Sequence, residues 1–234
     1  MAVIDYDARA AAAFAAGRHL RDDALTAWRE RVAHHLRPTA ATRLLDLGSG
    51  TGQWSAAFRR WYGVSVTAVE PSAAMRAVAE EPALAGDAAH IPLPDGDVDA
   101  VWLSTVVHHI PDLPAAAAEI RRVLRPGGSV LIRSVFAGRH DGVTLMRYFP
   151  EAAAALDARF PSVAAVAASF AAAGFAALAL EPVPQLTAPA LGAALAGLDR
   201  RGRRVSVEAS PARLILTPAE SRSVAAQGIV AMWP

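Results

Sequence analysis

Cysteine is absent from the 234-residue chain, and lysine and asparagine are absent with it. Without cysteine there can be no disulfide, no thiolate nucleophile and no cysteine-ligated zinc. Without lysine the strong cations are all arginine, and without asparagine one metal ligand is missing. Abundant alanine beside all-arginine basic residues is the mark of a GC-rich genome, so the bias concerns codons before chemistry. Catalysis has to come from oxygen and nitrogen groups. Long apolar runs are also missing: none approaches the ~18 residues of a membrane span, and Asp5 and Asp7 stand where a signal peptide would be basic. These features predict a cytoplasmic protein with no membrane partner. A net charge of +1, with arginines interspersed among acids, offers no general attraction for polyanions and predicts no nucleic-acid partner.

The most informative stretch present is Leu44-Leu45-Asp46-Leu47-Gly48-Ser49-Gly50-Thr51-Gly52. An apolar run that breaks into alternating glycines is how a buried strand turns beneath a nucleotide-like ligand, since glycine lets backbone approach where a side chain would collide. A dinucleotide fingerprint places its last glycine at the position held here by Gln53. The third glycine comes one residue early, at Gly52, and Asp46 precedes the first by two, which argues against a pyrophosphate.

Around this turn the elements alternate. Residues 1 to 37 read as helical, with Phe14, Leu20, Leu25, Trp28 and Val32 as core positions and Pro38 as the stop. A strand over 43–47, a helix near 54–62 and a strand over 64–69 ending at Glu70 form a β-α-β unit. A short helix over 73–80, a turn at Gly86-Asp87 and the loop 91–96 lead to a strand over 99–104. A helix over 111–124 is closed by Arg125-Pro126-Gly127-Gly128, because proline and left-handed glycine end the ladder. A strand over 129–135, an insertion over 138–161, a helix over 162–173 and a strand over 175–180 follow. The final strand is either 205–207 or 213–217. Such alternation predicts one α/β domain with a doubly wound, mostly parallel sheet and ligands at the carboxyl ends of its strands.

The 44–52 stretch, Gly86-Asp87-Ala88, the Asp97-Val98-Asp99 strand entry and the L-R-P-G-G segment together resemble the class I S-adenosylmethionine-dependent methyltransferases. Tyr6-Asp7 and Gly17-Arg18 are similar to the start of the ubiquinone- and menaquinone-biosynthesis type and its small-molecule relatives. The resemblance implies a seven-stranded sheet over 1–234. An N-terminal helical lid (1–37), a cofactor-binding core (40–135), a cap insertion after the fifth strand (136–161) and a C-terminal part (162–234) would make up this single domain. It implies S-adenosylmethionine as cofactor. Gly48, Gly50 and Gly52 would lie under the methionine part, with Asp46 helping to hold its amino group. Glu70 would take the ribose hydroxyls, Pro71 and Met75 one face of the adenine, Asp87 and Ala88 its amino group and ring nitrogen. Ser104 would meet the methionine moiety, Tyr6 would sit near the sulfonium and Arg18 would face the carboxylate. Asp97 and Asp99 read as structural.

Methyl transfer from a sulfonium is an in-line displacement, so alignment and exclusion of water matter most and a base is optional. Val106-Val107-His108-His109-Ile110 follows the fourth strand, at the mouth of such a site. Adjacent side chains are expected to diverge, which leaves His109 facing substrate as base and His108 packing. His140, in the insertion, is a second candidate base, and Tyr6 a third catalytic candidate. Arg147, Tyr148 and Phe149 could line the acceptor pocket. Ser104-Thr105-Val106-Val107 lacks the Asp/Asn-Pro-Pro-aromatic motif of enzymes that methylate base or glutamine amides. No asparagine is available for the magnesium-dependent catechol type, and the two-glutamate loop of arginine methyltransferases has no counterpart. The reading is metal-independent methylation of O, N or C of a small metabolite, a secondary metabolite or quinone-like acceptor being plausible. The alternatives are cofactor-dependent chemistry other than methylation, such as a cyclisation, or binding alone, and more remotely a nicotinamide-dependent oxidoreductase.

Overall fold

The structure, a computed structural model, describes residues 7–17, 22–139, 150–183 and 227–233. Its first helix, α1 (Ala8–Gly17), is alanine-rich and starts where the Asp7 carboxylate accepts the Ala10 amide at 2.7 Å. Helix α2 (Thr26–Leu36) stops at Arg37 in a left-handed conformation, just before Pro38, whose ring bars another helical turn. Strand β1 (Arg43–Leu47), helix α3 (Gln53–Tyr62) and strand β2 (Ser65–Glu70) form the expected β-α-β unit. Then come α4 (Ala73–Ala77), β3 (Leu84–Ala85), β4 (Val98–Ser104), α5 (Leu113–Val123) and β5 (Leu124–Ser134). The chain continues through α6 (Glu151–Asp157), α7 (Val163–Ala172), β6 (Ala177–Val183) and β7 (Gln227–Trp233). Helices α4, α5 and α7 are each capped by the side chain expected of an N-cap, Ser72, Asp112 and Ser162.

The strands form one sheet in the order β3-β2-β1-β4-β5-β7-β6. The first five are parallel, and β7 runs antiparallel to both β5 and β6. The chain winds outward from β1 through β2 to β3, then returns to lay β4 on the other side of β1. At that reversal the connections leave in opposite directions, which opens a crevice at the carboxyl ends of β1 and β4. Both faces of the sheet are covered. On one, Trp28 of α2 and Trp54 and Phe58 of α3 meet Trp102 of β4, with Trp54 to Trp102 ring centroids 4.9 Å apart and Phe58 edge-on at 5.2 Å. On the other, Ile120 of α5 and Val166 and Phe170 of α7 pack on Val101, Leu103, Val130 and Ile132. Among the described residues, no helix is long and apolar enough to cross a membrane.

The structure departs from the sequence expectation in four places. Helix α4 ends at Ala77, short of 80, because the Glu80 amide turns to the Thr51 carbonyl at 3.2 Å and draws the chain back toward the glycine turn. The two-residue strand β3 was expected only as part of a turn, its length being too small for any period to show. The R-P-G-G segment does end α5, but it already lies within β5. Leu124 pairs with Val98 and the next partner of β4 is Ser129 opposite Ala100, so residues 125–128 bulge outward around Asp99. Finally, the strand between β5 and β6 is Gln227–Trp233, whereas 205–207 and 213–217 lie outside the described residues. Its Ile-Val-Ala-Met-Trp run is short and unbroken, so alternation could not distinguish it.

The bulge explains the paired glycines. Gly127 has φ of 78°, and a Cβ there would meet nothing within 4 Å, whereas one on Gly128 would lie 2.9 Å from the Asp99 carbonyl oxygen. Gly128→Ala is therefore expected to lower stability by about 1–3 kcal/mol, because a backbone atom must move. Gly127→Ala should cost only the ~1–2 kcal/mol of a left-handed alanine. Urea unfolding of both variants checks the order, and a milder Gly128→Ala would refute the account of the bulge.

Candidate functional site

Gly48, Gly50 and Gly52 all occupy left-handed backbone, with φ of 73°, 57° and 82°. The amides of Gly48 and Ser49 both donate to the Val69 carbonyl, at 2.8 and 3.1 Å, and anchor the turn to β2. The space over the glycines differs. A Cβ on Gly48 would stand 2.6 Å from Val106 Cγ2, so this glycine is required by close packing. Over Gly50 the nearest atom is Phe14 Cε1 of α1 at 3.8 Å, and over Gly52 it is the Glu81 amide nitrogen at 3.9 Å. Gly50 and Gly52 are thus in ordinary contact and not crowded as Gly48 is, with α1 alongside. Ser49 Oγ is buried with no hydrogen-bond partner among the described residues, a polar atom waiting for one at a cost of roughly 1–3 kcal/mol.

Glu70, at the end of β2, faces this turn and is 6% exposed. One carboxylate oxygen accepts the Gly50 amide and the other the Ser72 amide, both at 2.9 Å. Burial pushes its pKa up, against the pull of these two amides and of Arg76. Arg76 in turn donates to the Glu70 and Pro71 carbonyls at 2.7 and 2.8 Å and holds that corner. Asp46 is deeper, 1% exposed, and accepts the Ser55 hydroxyl at 2.7 Å under α3. Its burial, reinforced by the nearby Glu70 charge, raises its pKa from 3.8 to about 6.

The end of β4 closes the other side. Ser104 and Thr105 lie against Arg133 of β5, whose Nη1 donates to their hydroxyls at 3.1 and 2.9 Å. Val106 reaches back to Gly48, and a 3-10 turn over Val107–His109 follows. His108 is 8% exposed and stacks on Phe160 at 4.0 Å. His109 is half-buried, and its ring lies 3.9 Å from that of His108. The expectation that adjacent histidines diverge is corrected here: in so tight a turn the rings lie side by side, tilted by 42° to each other. His108 is the one held in packing.

The remaining expected site residues fall in different surroundings. Met75, on α4, is 2% exposed, while Pro71 is exposed. Asp87 is exposed and spends one oxygen on the Ala89 and His90 amides, at 2.8 and 2.9 Å, as a turn aspartate does. Ala88 packs against the core beside Leu93. Asp97 and Asp99 are structural as expected: Asp99 accepts the Arg43 amide at 2.7 Å and Arg125 at 2.9 Å, and Asp97 pairs with Arg43. Tyr6, Arg18, His140, Arg147, Tyr148 and Phe149 lie outside the described residues. The sequence reading missed Arg133 and Phe160 and gave Phe14 only as a core position. The one available signal was a lone arginine in the otherwise apolar run Val130-Leu131-Ile132-Arg133.

A mostly parallel α/β sheet with a left-handed glycine turn after β1 and a buried carboxylate closing β2 is an arrangement in which open α/β sheets place ligands at the switch point. Residues 45–132 match the family described as methyltransferase domain. Over 101 residues the chain is 43% identical to malonyl-[acyl-carrier protein] O-methyltransferase of Serratia marcescens, a match covering 41% of this chain and 39% of that protein. Over 121 residues it is 37% identical to the ubiquinone/menaquinone biosynthesis C-methyltransferase of Methylobacterium nodulans, covering 45% and 47%. The chain thus matches less than half the length of these curated relatives. Among solved structures, the [4+2]-cyclase SpnF is similar with a TM-score of 0.56 and 26% identity, over 72% of this chain and 63% of that one.

The buried Asp46 makes a prediction about pH. With its folded pKa raised to about 6 from 3.8, the protonated form is favoured by folding. Its relative stabilisation is complete below pH 3.8 and is lost as pH rises through about 6. Asp46→Asn, which keeps an acceptor for Ser55, should raise stability at pH 7.5 by about 1–3 kcal/mol and flatten the pH 4–6 slope. Denaturant unfolding across that range checks it, and a variant with an unchanged slope would show that Asp46 is not the group responsible.

Proposed function

We propose that this chain transfers a methyl group from S-adenosylmethionine to an O, N or C atom of a small-molecule acceptor. The observation that carries the reading is the buried Glu70 carboxylate, fixed by Gly50 and Ser72 beside a turn whose Gly50 and Gly52 are not crowded closer than 3.8 Å. The residues present fit such a cofactor. The glycine turn would lie beneath its methionine part, and the partnerless Ser49 hydroxyl gives that turn a polar atom to offer. Each oxygen of Glu70 keeps lone-pair capacity beyond the one amide it accepts, enough for two ribose hydroxyls. Pro71 and Ala88 would flank the adenine, with Met75 backing them and Asp87 at its amino edge. Asp46 would act from below, by holding α3 and the turn in place through Ser55.

The cofactor supplies an electrophilic methyl; the chain's part is to bind, orient and exclude water. Helix α1 passes beside the glycine turn through Phe14 and serves as a lid, to which Tyr6 and Arg18 would add contacts to the sulfonium and carboxylate. The segment 136–161 serves as a cap over the acceptor, seated on the 3-10 turn through the stacking of Phe160 on His108. His109, beside it at the carboxyl end of β4, would take a proton from an acceptor hydroxyl or amine, with His140 of the cap as a second base. The chemistry needs no metal. A second reading is supported by the likeness to a [4+2]-cyclase: the same pocket used for chemistry other than methylation.

Titration calorimetry with S-adenosylmethionine, S-adenosylhomocysteine and NAD in parallel is the first test. Binding of the two adenosyl ligands but not NAD is expected, and binding of NAD alone would overturn the proposal. Glu70→Ala should weaken adenosyl-ligand binding by about 1–3 kcal/mol, as for a lost charge-assisted hydrogen bond. Release of S-adenosylhomocysteine during an acceptor screen separates methyl transfer from the second reading, in which the cofactor binds but is not consumed.

A further inference from the structure

Thr105 is a β-branched residue held at φ of 59°, a left-handed backbone that such residues seldom adopt and that costs on the order of 1–3 kcal/mol. Apart from Arg37 at a helix end, it is the one non-glycine residue at positive φ among the described residues. Strain of this kind persists only where the surroundings impose it. Here Arg133 grips the residue twice: its carbonyl accepts the Thr105 amide at 2.7 Å, and its Nη1 donates to Thr105 Oγ1 at 2.9 Å and to Ser104 Oγ at 3.1 Å. Arg133 is itself fixed. It is 5% exposed, and its guanidinium carbon lies 5.1 Å from the Trp28 ring centroid and 5.4 Å from that of Trp54.

The direction the chain takes after Thr105 is what this grip decides. Left-handed backbone at Thr105 sends Val106 against the α-carbon of Gly48, and it starts the 3-10 turn that stacks His108 on Phe160 and sets its ring beside that of His109. We infer that Arg133 is a positioning residue: by clamping Thr105 in a strained backbone it sets the Gly48 turn and the His108-His109 turn in register with each other. The inference deepens the proposed methyl transfer and rests on that reading for its functional meaning, since the two turns it joins are the cofactor and acceptor sides of one site.

The clamp reverses the usual order of two substitutions. Thr105→Val keeps shape and β-branching but removes the hydroxyl that Arg133 holds, so the strain stays and the restraint weakens. Thr105→Gly removes the hydroxyl too, but glycine occupies left-handed backbone freely. The expected result is S-adenosylhomocysteine affinity about tenfold weaker in Thr105→Val and within about twofold of the parent in Thr105→Gly. A second readout needs no ligand: the ring-current shift of the His108 ring protons, from stacking on Phe160, should diminish in Thr105→Val and persist in Thr105→Gly. Arg133→Met should likewise lose the shift, and adding Thr105→Gly to it should restore the shift. If Thr105 merely fills space, glycine will be the worse of the two, and that order overturns the clamp. If the parent protein binds no adenosyl ligand, the methyltransferase reading fails, whereas the His108 shifts still decide the clamp.

Discussion

The site depends on one buried carboxylate. Glu70 ends β2, and its two oxygens take backbone amides from two separate turns, Gly50 after β1 and Ser72 before α4. A carboxylate removed from water is costly unless its lone pairs are occupied, and these amides reduce that cost while joining the turns. The Gly48 and Ser49 amides on the Val69 carbonyl complete the attachment. The glycine turn is therefore suspended from β2 and does not rest on helix α3 alone. A sheet that placed an apolar residue at the end of β2 would leave the Gly50 and Ser72 amides without their acceptor.

Beneath that suspended turn the two faces of the sheet do different work. The α5 and α7 face is mostly apolar and supplies burial. The α2 and α3 face carries the polar groups, because alternation along each strand points Asp46, Glu70, Ser104 and Arg133 the same way as Trp102. Asp46 and Glu70 can be buried because each accepts hydrogen bonds, and Arg133 because hydroxyl acceptors and two indole rings meet its guanidinium. Trp28 and Trp54 offer Arg133 their faces, and Trp28, Trp54, Phe58 and Trp102 pack at mutual distances of 4.9 to 6.2 Å. A leading helix that might pass for decoration on a nucleotide-binding sheet, α2, is thus part of the floor of the site through Trp28.

What the sequence made legible and what it did not follow from the range of the interactions. Strand β1, helix α3 and strand β2 were readable nearly to the residue, because each is set by local alternation and by glycines whose conformation is local. The structural role of Asp97 and Asp99 was readable for the same reason, as acids at a strand entry. Arg133 was not, because its partners come from β4, α2 and α3 and no spacing links them. Strand β7 was hidden since its pairing with β5 spans about a hundred residues, and a short apolar run carries no sign of the strand it will join. The adjacent histidines show the limit from the other side: sequence adjacency suggested divergence, and the tight turn after Thr105 brings the rings to 3.9 Å.

The strained threonine and the crowded glycine belong to the same contact. Gly48 has no room for a Cβ because Val106 occupies that place, and Val106 occupies it because Thr105 turns the chain there. Two unfavourable local conformations, left-handed backbone at a β-branched residue and a glycine's loss of freedom, are thus accepted at one point where β1 and β4 diverge. Relaxing either would separate the strands' carboxyl ends, at the crevice that the winding of the sheet creates. Strain located at a switch point is consistent with a site whose two halves must be held at a fixed distance, which is what an in-line transfer between two bound molecules requires.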